Sequence, residues 1–175
     1  MEDDLRKLID DPHFRGYHEE IAKRRDFNTF DVLRYADYEI RHSNVLAWLL
    51  QPGQSHGLGG RFLRWFVSHL NERTKKSGID DVVVTDFEAG NVTVERERHY
   101  VDITVIFRKE KYLIAIENKT EEASAEQFKQ VRGYDDALRE RYKGRYGVRS
   151  VLLTASPDSG VSQRGFVHMS WVSVH

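Results

Sequence analysis

Two carboxylates and a lysine lie near the ends of two apolar, β-branched segments, and their types and spacing suit chemistry on a phosphate. The segments are YVDITVIF and YLIAIENK, joined by RKEK. We expect the chain to turn between Lys109 and Glu110. In that antiparallel register Asp102 lies opposite Glu117, with Cβ atoms about 5 Å apart. Lys119 follows two residues after Glu117 and therefore shares its face of the sheet.

This trio would be costly in an apolar hairpin unless the charges were paired or bound to a metal. Two carboxylates at this separation repel each other, and a divalent cation between them removes that penalty. Oxygen ligands suit Mg²⁺ or Mn²⁺, and a metal lowers the pKa of its bound water. Lys119 can orient that water or stabilise charge on the phosphorane. The trio predicts phosphodiester hydrolysis with Asp102 and Glu117 as metal ligands.

The same residues also allow a purely structural interpretation. Glu117 and Lys119 can form a salt bridge at a sheet end while Asp102 caps a turn, because charged side chains usually lie on solvated faces. The register depends on loop length, since a slip of one residue moves every side chain to the other face. In the expected register the face opposite the trio is core, made of Val101, Ile103, Val105, Phe107, Tyr112, Ile114 and Ile116.

The composition is that of an ordinary globular domain, with 39% hydrophobic and 31% charged residues in a chain of 175. The net charge is −1, so any nucleic-acid binding must come from a local patch rather than from bulk charge. There are no cysteines, which excludes disulfides and thiolate metal sites. The N-terminal decapeptide is acidic and lacks the apolar stretch of a signal peptide. We predict a soluble cytoplasmic protein with no membrane association.

The elements that must position the trio follow from hydrophobic periodicity. The pattern predicts polar helices in 1–25 and 28–36, apolar helices in 38–50 and 60–70, and a helix from Ser124 to Tyr142. It predicts strands or strand halves in 82–89, 91–98, 100–107 and 111–119, and further strands in 150–156 and 165–174. The strand at 150–156 follows a crossover helix and should be parallel to the strand before that helix. The order indicates an α/β or α+β sheet with helices on both faces.

The pattern of Asp102, fourteen residues, then Glu117-Asn118-Lys119 resembles the PD-(D/E)XK nuclease superfamily. The resemblance implies a restriction-endonuclease-like α-β-β-β-α-β core with a mixed central sheet flanked by helices, here carrying an N-terminal helical extension. It implies metal binding by Asp102 and Glu117 and catalysis by Lys119. Val101 stands where the family name has proline.

A second part of the resemblance is Gln130-Val-Arg-Gly-Tyr134, which looks like the QxxxY motif of the exonuclease-like branch. A spacing of four places both side chains on one helical face, from which they can reach substrate phosphate. The structural alternative is that Tyr134 is core and Gln130 is surface.

A third part is the combination of EIRHS and SHGLG, which looks like the N-terminal signature of a bacterial subfamily of these nucleases. Glu39 is a candidate supporting residue, with Arg41 and His42 weaker ones. His56 lies in a turn before a helix N-terminus, where anions are favoured, and is a candidate for phosphate or metal contact. Hydrogen bonds to loop backbone are the alternative role.

Glu95 and Glu97 alternate with Arg96 and Arg98 on the strand before Asp102. Alternation at period two should give one acidic and one basic face. Glu97 is a conceivable outer carboxylate of the metal site, but a solvated edge strand is the simpler expectation.

These features together predict an Mg²⁺- or Mn²⁺-dependent nuclease that prefers DNA. The alternatives are an inactive nucleic-acid- or protein-binding module on the same fold, and a ribonuclease using the same site, because nothing in the residues reveals 2′-OH recognition. We expect a helical extension in 1–58 packed on a core in 59–175. The sequence leaves open whether the chain forms a homo-oligomer.

Overall fold

A computed structural model describes residues 39–76, 82–120, 124–155 and 166–170 of the chain. The helices predicted in 1–25 and 28–36 lie outside the described residues. The described elements follow the order ααβββαββ. They are α1 (Glu39–Leu50), α2 (Arg61–Lys76), β1 (Val92–Arg98), β2 (Val101–Phe107), β3 (Tyr112–Asn118), α3 (Ala125–Tyr142), β4 (Gly147–Thr154) and β5 (Phe166–Ser170).

The five strands form one mixed sheet in the order β1-β2-β3-β4-β5. Strands β1, β2 and β3 are antiparallel neighbours, because short connections join them. Strands β3, β4 and β5 are parallel, and α3 forms the crossover from β3 to β4. The predicted helix–strand order from α2 to β4 and the parallel pairing of β4 are therefore confirmed.

Each face of the sheet buries its own set of side chains. One cluster joins α1 and α2 to the sheet through Leu46, Leu50, Leu63, Phe66, Ile103, Val105, Ile114, Ile116, Val151 and Leu153, among others. On the other face, α3 packs over Leu113, Ala115, Leu152 and Phe166 through Val131 and Leu138. Helix α1 also contacts β1, β2 and β3, and the division of the chain at residue 58 stays a prediction.

The strand predicted in 82–89 is absent: residues 82–87 carry no regular secondary structure, and a bend and turn follow. The β-branched residues favour an extended backbone, but side chains take the backbone groups that a strand partner would bind. Asn71 Nδ2 donates to the Val82 carbonyl (2.9 Å), and the Val82 amide donates to Asn71 Oδ1 (2.8 Å). Asn71 belongs to α2, which continues beyond the predicted end at residue 70 to Lys76.

Two expectations about packing were wrong in detail. Val101 is buried, but in the cluster beneath α3 with Leu113 and Ala115 rather than with Ile103. The reason is local, because Glu97, His99 and Tyr100 adopt positive φ angles just before Val101 and so bend the start of β2. The segments predicted as apolar helices in 38–50 and 60–70 also carry large apolar residues that are at least a third exposed, namely Ile40, Val45, Trp48 and Trp65.

Candidate active site

The antiparallel pairing of β2 and β3 brings the predicted trio to one end of the hairpin. Thr104 pairs with Ala115 and Ile103 with Ile116, which is the register expected from the sequence. Asp102 and Glu117 are the next residues outward from the last of these pairs. β3 ends at Asn118, so Lys119 extends just beyond the sheet.

Asp102 is held through both its partly buried carboxylate and its backbone carbonyl. The Asn118 amide donates a hydrogen bond of 2.8 Å to Asp102 Oδ2, so the end of β3 orients this group directly. Arg96 Nε donates to the Asp102 carbonyl (2.9 Å), and Arg96 Nη1 donates to the Ile40 carbonyl (3.2 Å). Arg96 therefore ties the start of β2 to α1.

Lys119 lies between two carboxylates that come from distant parts of the chain. Its Nζ is 3.2 Å from Glu117 Oε1 and 3.0 Å from Oε2 of Glu39, the first residue of α1. The Lys119 and Glu117 side chains are 14% and 9% exposed, against 40% for Glu39. The ammonium is thus enclosed while Glu39 borders solvent.

Burial sets the protonation behaviour of the two central carboxylates. Desolvation raises the pKa of Asp102, only partly opposed by the Asn118 amide and the charge of Lys119. Desolvation also raises the pKa of Glu117, and the nearby charge of Asp102 raises it further. Such shifts mark groups that are strained in their charged form without a cation.

Lys119 responds in the opposite sense to the same environment. Burial acts to lower its pKa, but the hydrogen bond to Glu39 and the charge of Glu117 outweigh burial, so its pKa is raised. The side chain is therefore an ammonium at neutral pH. Such a group can stabilise negative charge or donate hydrogen bonds, but it is not a proton acceptor.

The carboxylates fit a divalent cation. Glu117 Oε2 is buried and has no hydrogen-bond partner among the described residues, which is costly for a charged oxygen. Within the described ranges no group of three or more His, Cys, Asp or Glu side chains is placed to hold a metal. A cation here would take Asp102 and Glu117 and complete its shell with water and substrate oxygens, as Mg²⁺ commonly does.

Gln130 and Tyr134 lie on one face of α3, as predicted, and contact each other. Gln130 Nε2 donates to Tyr134 Oη at 2.5 Å. Tyr134 is partly buried and lines a small cavity with Glu117 and Ser150, whereas Gln130 is exposed. Helix α3 starts cleanly because Ser124 and Gln127 form a capping box. Tyr134 thus shares a small cavity with Glu117. Gln130, its hydrogen-bond partner, lies at the protein surface.

Comparison with known proteins agrees with this geometry. A sequence profile of the PD-(D/E)XK nuclease superfamily matches residues 27–171. The chain belongs to this superfamily. The resemblance inferred from the hairpin is therefore confirmed, and the mixed sheet with flanking helices is the predicted restriction-endonuclease-like α/β fold.

The crystal structure of a repair endonuclease from Pyrococcus abyssi is similar over 60% of this chain, at 19% identity and a TM-score of 0.37. The match covers 44% of that protein, so this chain spans less than half of its length. No curated protein matches the chain.

The fold does not bring His56 close to the predicted trio of Asp102, Glu117 and Lys119. One ring nitrogen accepts from the Leu58 amide (2.9 Å), the other lies 3.0 Å from the Gln51 carbonyl, and the ring meets Trp48 edge to face. It lies beyond the C-terminal end of α1, whose length separates it from Glu39 by roughly 16 Å. Arg41 and His42 are partly buried on α1.

The alternation expected along β1 does not continue to its end. Glu97 adopts a φ of 55°, which breaks the strand geometry, and Arg98 forms an ion pair with Glu95. The acidic and basic faces are therefore not separated. β1 is an edge strand of the sheet, and Glu97 is exposed, as the simpler expectation had it.

Two residues of the site were missed from the sequence. Asn118 orients Asp102 through its amide, and its side chain donates to the buried Ser43 hydroxyl of α1 at 3.0 Å. A signal was available, because each is a small polar residue inside an apolar segment, a placement that requires a partner. No spacing rule, however, connects residues 75 positions apart.

Proposed function

We propose that the chain is a metal-dependent nuclease in which Asp102 and Glu117 bind Mg²⁺ or Mn²⁺ and the substrate is DNA. The observation that supports this most directly is the buried, unsatisfied Oε2 of Glu117 beside Asp102, with a raised pKa on both carboxyl groups. The salt bridge with Lys119 engages only Oε1, so Glu117 Oε2 stays open to a cation. The cation would supply Lewis acidity and a water of lowered pKa.

Lys119 acts as a cation at the scissile phosphate. Its ammonium is held by Glu39 and Glu117, so it is positioned before substrate arrives and can stabilise charge developing on the phosphorane. Its raised pKa argues against proton abstraction. Glu39 serves as a positioning residue that acts through Lys119.

Tyr134 and Gln130 form the second wall of the site. Tyr134 borders the cavity beside Glu117, and Gln130 is hydrogen bonded to its hydroxyl. We assign to this pair contacts with substrate phosphate or with the scissile region.

The described residues contain no helix long and apolar enough to cross a bilayer.

The test compares cleavage of labelled linear, circular and single-stranded DNA and of RNA, with and without Mg²⁺ or Mn²⁺. We expect metal-dependent cleavage of DNA that falls at least about a hundredfold in Asp102→Asn and in Lys119→Ala. Lys109→Ala is the matched control, because Lys109 also forms a carboxylate ion pair, with Asp86, at the opposite end of the hairpin.

The outcomes separate the rival functions. Binding without cleavage identifies a binding module on this fold, and cleavage confined to RNA identifies a ribonuclease. Equal activity of the parent protein, Asp102→Asn and Lys119→Ala would show that the trio is not the active site.

A further inference from the structure

The turn between β1 and β2 holds side chains in a conformation that they rarely adopt. His99 and Tyr100 form this two-residue connection, with φ of 58° and 66°. Positive φ at both positions is typical of a type I′ turn, where Asn-Gly is the favoured pair. A histidine and a tyrosine there cost free energy relative to Asn or Gly, so the fold alone does not account for them.

The neighbours of Tyr100 fix the turn in place. His99 Nε2 lies 3.2 Å from Tyr142 Oη, and the two rings meet at an interplanar angle of 68°. On the other side, Val101 is 3% exposed and belongs to the cluster beneath α3 that includes Leu138. Both anchors hold the turn against the same helix.

Tyr100 itself points away from these anchors. It is 87% exposed, the most exposed of the large apolar side chains in the described residues. It makes no hydrogen bond or ring contact with another described residue. A rigid turn therefore presents a free aromatic ring to solvent.

This ring borders the active site. Tyr100 lines a surface recess with Glu97, His99, Val101 and Asp102, so the recess reaches from the turn to a predicted metal ligand. Arg141 and Arg98 lie close enough to His99 that, after burial, their charges lower the pKa of its ring. A polyanion in this recess would thus lie beside Tyr100 and near the charge of Arg141, since Arg98 is already paired with Glu95.

We propose that Tyr100 stacks on an unpaired base of the substrate next to the scissile phosphate. This rests on the proposed nuclease function and narrows the substrate to single-stranded DNA or to duplex ends that open. An aromatic ring stacks on any base without sequence preference, and the anchored turn means that little ordering accompanies binding.

The experiment measures the affinity of a fluorescein-labelled single strand of about 12 nucleotides, in an Asp102→Asn background so that the strand stays intact. Tyr100→Asn removes the ring and suits positive φ. We expect its affinity to fall about tenfold while its Tm is equal to or above that of the background. Tyr100→Phe keeps the ring and should bind as tightly as the background.

Val83→Asn is the matched control, since Val83 is 71% exposed and belongs to the segment whose Thr85 binds Glu110, at the other end of the hairpin. Its affinity should not change. Equal affinity of Tyr100→Asn and its background would overturn the inference, as would a loss shared by Val83→Asn. Failure of the proposed function has a different signature, namely no metal-dependent cleavage by the unmodified chain.

Discussion

The two ends of the β2–β3 hairpin each carry acidic residues and a lysine, yet the fold treats them differently. At the turn, Glu110 and Asp86 accompany Lys109, and at the open end Asp102 and Glu117 accompany Lys119. Each set joins one aspartate, one glutamate and one lysine, and at the open end Glu39 of α1 also pairs with the lysine. The difference lies in how many hydrogen bonds each carboxylate receives and in how far it is removed from water.

At the turn the protein satisfies its own carboxylates. Glu110 Oε1 accepts from the backbone amides of Thr85 (3.0 Å) and Asp86 (3.1 Å), and Oε2 accepts from Asn91 Nδ2 (2.7 Å). Partial burial acts to raise the pKa of Glu110, but these donors outweigh it and the pKa is lowered. The charge there holds the loop 82–91 on the sheet.

At the open end the carboxylates are more deeply buried and accept fewer hydrogen bonds than Glu110 does. Both have raised pKa values, and one oxygen of Glu117 is unsatisfied among the described residues. A cluster that stabilises the fold is complete without a ligand, whereas this one is not. The hairpin therefore carries at its turn a charge cluster that is satisfied by the protein, and at its open end a cluster whose unsatisfied oxygen fits the proposed cation.

The largest expected effect is on catalysis by Glu117→Gln. The substitution keeps shape and removes the charge, so metal-dependent DNA cleavage should fall at least about a hundredfold. Stability in the absence of metal should be unchanged or higher, because the substitution removes the desolvated charge and its repulsion from Asp102, while Lys119 keeps its ion pair with Glu39. Cleavage rates and the free energy of unfolding in urea with chelator test both parts. A large loss of stability would mean that Glu117 is structural, contrary to the comparison.

The second-largest expected effect is on the stability of the fold and comes from Glu110→Ala, at the turn end of the hairpin. Glu110→Ala leaves the amides of Thr85 and Asp86 and the Asn91 side chain without their acceptor. We expect unfolding free energy to fall by about 1–3 kcal/mol, with metal-dependent cleavage by the folded protein unchanged. Urea unfolding and a cleavage assay well below the Tm measure this. Loss of cleavage with intact stability would reverse the roles of the two ends.

The prediction of the hairpin succeeded because its information is local. Alternating apolar residues on both segments determine the faces, and the short connection determines the pairing, so Thr104 meets Ala115 as expected. The helix containing Gln130 and Tyr134 was predicted for the same reason, since a period near four and the Ser124 cap lie within a single segment.

What could not be predicted depends on contacts between distant segments. Glu39 reaches Lys119 across 80 positions, and this proximity follows from how α1 crosses the strand ends. The segment 82–89 has strand-forming residues, but side chains of Asn71 and Glu110 bind its backbone instead. His56 was proposed for phosphate or metal contact, yet nearby residues of its own loop occupy its ring nitrogens.

The smallest expected effect is on the pH dependence of stability, to which the charges of Glu117 and Glu110 should contribute with opposite signs. The pKa of Glu117 is raised by folding, so its charge lowers stability at neutral pH, and that cost disappears below its ordinary value of 4.5, where both states are protonated. The pKa of Glu110 is lowered by folding, so its charge adds stability above 4.5, and that stability is lost as pH falls through the lowered value. In chelator at neutral pH, Glu117→Gln should therefore melt above the parent protein and Glu110→Gln below it, each by roughly 2–4 °C. Both differences should shrink toward zero as the pH falls below 4 in thermal scans, and differences of the same sign at neutral pH would contradict the distinction between the two ends.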